Sequence, residues 1–285
     1  MQTLLKFELS DHKKVLTYTA LATIAILQLD IKQLEEYLAK LKNFPQHDFQ
    51  QLAINPLHCL NAIYQYLKYG VVRKDFFVEV TRFYFNPPVQ HESIYDQKAN
   101  DLIYLLTTYS TFICQKPLKT LRFVNAVNKI NTNTEVSFAY NFFLKIAISD
   151  AYFLLDNPTE LLNSSSSISV SYKQEEYLFT PFMKSLLYGL KIKNALIAAD
   201  YTPINGYLNC LNQVSDESGN KFSKLFIYSS ILNNDELVEL DPQLYKQVSY
   251  NHTRLLRECG LSTDIFLNQK SSNDIGIVMK VRANN

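Results

Sequence analysis

Six glycines in 285 residues restrict this chain more than any motif in it. Glycine reaches positive φ without steric cost, and hairpins, phosphate-cradling loops and tight β-corners are built on it. A chain so short of it is confined to elements joined by simple loops, which points to helices. The rest of the composition agrees. With 47% of residues hydrophobic and 19% charged, the balance is globular and supplies one large core or two smaller ones. Trp is absent, so the 19 Tyr and 18 Phe must fill much of that core.

Apolar residues recur at helical spacing almost from the start. Asp11 is placed to cap a helix running to about Gln28. Asp30 with Gln33 has the form of a capping box. Ile31, Leu34, Tyr37, Leu38 and Leu41 then form one stripe, with Lys32, Glu35, Glu36, Lys40 and Lys42 outside it. Pro56 fits the first turn of a helix that Gly70 would end. Asp75 to Phe85, Ser93 to Cys114, Pro117 to Ile130 and Thr134 to Leu155 repeat the scheme. The run Ser164 to Ser167 makes residues 157–171 read as a mobile loop. Helices resume near Tyr172 and continue to about Cys259.

After Gly260 the pattern changes. Ile265, Phe266 and Leu267, then Ile275, Ile277 and Val278, make two short apolar β-rich runs with a polar turn between them. The expected architecture is all-α: an α-solenoid of antiparallel helix pairs ending in a winged-helix-like β-hairpin. Residues 1–232 are expected to form the helical scaffold and residues 233–285 the winged-helix-like module. Strand is expected only within about 263–281. The six apolar residues of the hairpin are the candidate partner-binding residues, because an open strand edge can pair with a second chain.

A search for chemistry ends without a site. His12, His47, His58, His91 and His252 form no HxH or HExxH pattern, so no metal is expected. Cys59, Cys114, Cys210 and Cys259 are far apart and read as reduced thiols. Adjacent His58 and Cys59 diverge by about 100° on a helix, so a buried Cys beside a partly exposed His is the simpler reading. GxSxG, GxxxxGK[ST] and GxGxxG are all missing. No catalytic residue and no cofactor are expected. With 28 basic residues facing 27 acidic ones and no basic stripe, nucleic acid is not an expected partner. Lys119, Arg122, Lys191 and Lys193 read as helix-surface charges. The apolar stretch Tyr18 to Leu29 is too short for a membrane span, and no signal peptide is apparent, so a cytoplasmic and nuclear protein is expected.

The middle of the chain carries a resemblance. Gln115-Lys116-Pro117-Leu118-Lys119-Thr120-Leu121, then Ala126-Val127-Asn128-Lys129-Ile130 and Asn133-Thr134, resemble the helical-repeat region of subunit 3 of the COP9 signalosome. Asp75-Phe76-Phe77, Tyr95 to Phe112, Tyr177 to Lys191 and Lys221 to Leu232 are similar to neighbouring repeat helices. Asp264-Ile265-Phe266 and Gly276-Ile277-Val278 look like the two strands of the wing in that family's PCI domain. The resemblance covers about half of the chain and suits a reduced fungal version of the subunit. It implies a noncatalytic scaffold among other subunits of a complex that removes Nedd8 from cullins, with the zinc chemistry held elsewhere. Three other readings stay open: a free-standing helical adaptor for peptides, a subunit of another PCI complex such as the proteasome lid or an initiation-factor assembly, and a divergent helical enzyme whose site is scattered along the sequence.

Overall fold

The computed structural model describes residues 10–45, 49, 52, 54–85, 94–130, 138–174, 176–263 and 265–266. The elements are α1 (Asp11–Gln28), α2 (Ile31–Lys42), α3 (Pro56–Tyr69), α4 (Lys74–Phe85), α5 (Ile94–Ile113), α6 (Pro117–Ile130) and α7 (Phe138–Leu154). They continue with α8 (Pro158–Gln174), α9 (Pro181–Ile197), α10 (Ile204–Ser218), α11 (Lys221–Leu232), α12 (Glu236–Leu240) and α13 (Pro242–Cys259). A 3₁₀ turn, Glu176–Leu178, precedes α9. No strand occurs among the described residues, and the protein is all-α there.

Punctuation in the sequence sets these boundaries. Five of the nine prolines open a helix: Pro56, Pro117, Pro158, Pro181 and Pro242. A first-turn residue has no intrahelical use for its N–H, so proline loses nothing there. Side chains accept the other free amides. Asp30 takes Gln33 N–H at 3.0 Å, Asn55 takes Leu57 at 2.9 Å, and Asp241 takes Leu244 at 2.9 Å. Asp11 does not cap α1; Ser10 precedes the helix, and the Asp11 carboxylate holds Lys14 at 2.9 Å.

At the other ends, Gly70 takes φ +68° and donates its N–H to Tyr66 at 2.8 Å. With so few glycines, several helices stop on L residues in the same left-handed conformation: Leu29, Gln115, Asp156 and Ala199. Each accepts a backbone cost of about 1 kcal/mol.

Consecutive helices pair, α1 on α2 and α9 on α10 among the closest, because short connections force the chain to reverse. In an open solenoid each unit would touch only its neighbours. Here α1 also packs on α11 and on α5, and Phe112 of α5 meets Phe226 of α11 edge-on at 4.9 Å. The described part therefore closes on itself. One hydrophobic cluster runs from Val15 through Leu34, Ile103 and Phe226 to Val248 and Phe266. A second lies between α7, α8 and α9, around Phe142, Ile146, Leu161, Ile168 and Met183.

Two further expectations change. The segment 157–171 is not a loop but the body of α8, with Leu161, Ser165, Ile168 and Tyr172 on its inner side. Asn157 caps it by accepting Glu160 N–H at 3.3 Å. The serines are satisfied locally: Ser165 donates to Leu161 C=O at 2.7 Å and Ser166 to Leu162 C=O at 2.8 Å. Back-bonding of this kind removes the reason a hydroxyl run would leave a helix. The second change lies at the end of the described chain. Thr263, Ile265 and Phe266 are turn residues rather than strand, and Phe266 has φ +61°. Leu267, Ile275, Ile277 and Val278 lie outside the described residues.

Candidate interaction surface

Ile265 and Phe266, expected to face a partner, are interior. Phe266 packs edge-on against Tyr66, Phe222 and Phe226 with ring centroids 5.5, 5.9 and 5.5 Å away. Its N–H donates to the Tyr66 hydroxyl at 3.1 Å, and its carbonyl accepts from Asn233 at 2.7 Å. These two side chains cap the chain's own core, joining α3 to α11, and are closed to a partner in this arrangement.

Exposed apolar side chains occur elsewhere. Leu162 and Val170 on the outer side of α8 are 46% and 55% exposed, and Tyr177 and Leu178 in the following 3₁₀ turn are 83% and 40% exposed. The inner side of α8 is committed to the second cluster through Leu161 and Ile168, so these residues are surplus to its packing. Val238, Leu240 and Tyr250 are further exposed apolar residues on α12 and α13. Scattered apolar residues are ordinary, but a group on one element marks a contact surface. Composition hid this group, because the serine run hid the helix.

The one surface charge misread from sequence is Lys193. Its side chain is 3% exposed and forms an ion pair with Asp150, which is 5% exposed. The ammonium also lies over the Phe226 ring, 5.2 Å from its centroid. Burial pulls the Lys193 ammonium down to about 7, while an opposite charge in contact works the other way. The signal was present: Lys193 falls in the stripe Leu186, Leu190, Ile197, and Asp150 in the stripe Ala147, Leu154. Opposite charges set within two apolar stripes read as a buried pair. A lysine with a lowered pKa is a nucleophile only where substrate reaches it, and this one is sealed. Of the other lysines in that group, Lys191 is exposed, with Tyr188 and Tyr207 rings beneath it, and Lys119 lies over Phe77.

Cys59 and Cys114 are buried, and desolvation pushes both thiols up to about 12, which makes them inert as nucleophiles. His58 points away from Cys59 to the Glu79 carboxylate. His252 on α13 is buried against Ser229 of α11 at 2.9 Å. The Ser229 hydroxyl hydrogen is used on Leu225 C=O, so His252 Nε2 carries the hydrogen that Ser229 accepts. Burial holds this imidazole well below its usual value, at about 4. Among the described residues no group of three or more His, Cys, Asp or Glu is arranged to hold a metal, and no helix is long and apolar enough to cross a membrane.

The arrangement that remains is a helical body with the buried pairs Lys193–Asp150 and His252–Ser229 and apolar side chains left on its surface. No protein-family model, no curated protein and no solved structure matches the chain, so its reading rests on these residues and this geometry.

Proposed function

We propose that this chain is a noncatalytic protein-binding subunit of a larger assembly. The observation that carries the reading is the exposure of Leu162 and Val170 on α8, whose opposite side is already packed, with Tyr177 and Leu178 exposed in the 3₁₀ turn that follows. Apolar area left in water is stabilised by a partner's surface.

Within that class, the resemblance around Gln115–Ile130 favours a signalosome-type complex acting on cullins and Nedd8, present in cytoplasm and nucleus. On that reading the part of the chain beyond Phe266 contacts a neighbouring subunit. Affinity purification of the full chain followed by mass spectrometry of co-eluting proteins tests both levels. Stoichiometric recovery of other PCI-type subunits is the expected outcome, with Tyr177→Asp or Ile277→Pro losing them while the helical circular-dichroism signal persists. A chain that elutes alone as a folded monomer overturns the assembly reading. Recovery of proteins of another class overturns the signalosome reading only.

A further inference from the structure

Between α1 and the end of α2 the surface opens into a cavity of about 320 Å³ lined by Asp11, Tyr18, Lys40, Asn43, Phe44 and Pro45. The Lys40 ammonium stands over two aromatic faces, 5.5 Å from the Tyr18 centroid and 5.4 Å from that of Tyr37. Phe44 extends the wall, its ring centroid 6.1 Å from Tyr18. Among the described residues Lys40 has no carboxylate partner, and its contacts are those ring faces. Lys68 shows the contrast: it too lies over two rings, Tyr64 and Tyr69, but the Glu35 carboxylate and the Tyr64 hydroxyl hold its ammonium.

We propose that the Tyr18 and Tyr37 faces now under Lys40, with Phe44 as the cavity wall beside Tyr18, are a binding site for a methylated lysine of a partner protein, which displaces Lys40. Ring quadrupoles attract a cation whatever its substituents. A plain ammonium keeps three strong hydrogen bonds to water and gains little by leaving it. Methyl groups remove those donors, spread the charge over a larger apolar surface, and lower the cost of desolvation. The site already holds a lysine head group at cation–π distance, so the incoming group needs no new geometry. Lys40 is exposed and has no carboxylate partner among the described residues, so its departure costs little, and Asp11 lines the same cavity with its carboxylate on Lys14. The inference goes beyond the assembly proposed above and does not depend on it.

The test titrates the full chain, followed by NMR, with one flexible Gly/Ser host peptide in three forms. These carry trimethyl-lysine, unmodified lysine, or the uncharged isostere with carbon in place of the ammonium nitrogen. In Lys40→Gln the trimethylated form should bind at least about five-fold tighter than either control, and about two- to five-fold tighter than it binds the unaltered protein. Adding Tyr18→Leu should abolish the preference; if that variant fails to fold, Phe44→Leu makes the same test. Equal binding of the three peptides, no saturation with Lys40→Gln, or a preference that survives loss of the ring overturns the proposal. Capture of phosphatidylcholine vesicles without a peptide preference overturns it as well, by assigning the cage to a lipid head group.

Discussion

Lys193 and Asp150 face each other inside a helical body whose buried side chains are mostly apolar. Breaking such a pair from one side leaves an unpaired charge in a poor solvent. Lys193→Met or Asp150→Asn alone should cost about 3–5 kcal/mol in urea unfolding. Lys193→Met combined with Asp150→Leu should recover most of the loss, since two apolar groups leave nothing to desolvate. A double variant as unstable as the singles would show that the pair organises α7 and α9 in some other way. His252 gives the pH dependence. Its folded value, about 4, lies below the 6.5 of a free imidazole, so the unfolded chain binds the proton first as pH falls. Stability from this residue is full above about pH 6.5 and is lost between there and about pH 4, by on the order of 3 kcal/mol. Denaturation at pH 7 and pH 5 should differ less in His252→Gln than in the unaltered chain; an equal difference would exclude this residue as the cause.

At the scale of elements, α8 shows why a serine run misleads. Serine is a weak helix former in isolation because its hydroxyl competes for the backbone, and reading 157–171 by composition gave a loop. The residues that make it a helix are spaced between the serines: Leu161, Ile168 and Tyr172 face α7 and α9, and Ser149 of α7 meets Ser164 at 2.8 Å. Small side chains let those helices approach. Ser166 is exposed and in the middle of α8, so Ser166→Ala should raise stability by about 0.5 kcal/mol and Ser166→Pro should lower it by about 3 kcal/mol. Two neutral substitutions would return the segment to a loop. Elsewhere local chemistry was legible to within a residue or two. Pro56 and Pro117 open helices, Gly70 and Gly260 end them, and Asp30 caps α2.

At the scale of the molecule, the chain is closed by contacts far apart in sequence. Phe266 joins Tyr66 of α3 to Phe222 and Phe226 of α11 across 200 residues. Phe266→Ala should cost about 3–5 kcal/mol, with hydrogen exchange accelerating in both α3 and α11. A loss confined to the residues beside Phe266 would show that it caps nothing larger. Any truncation that tests partner binding must therefore begin beyond Phe266, or it removes a core residue along with the segment in question. The sequence by itself determined that the described part is helical, where α1 to α6 begin and end to within a residue or two, and which side of α2 and α3 is apolar, because caps, prolines and stripe spacing act within one or two turns. Only tertiary structure decided that α1 meets α11 and that Ile265 and Phe266 face inward. Each of those depends on which apolar stripe meets which, and stripes of Leu, Ile and Phe are nearly interchangeable until packing chooses among them.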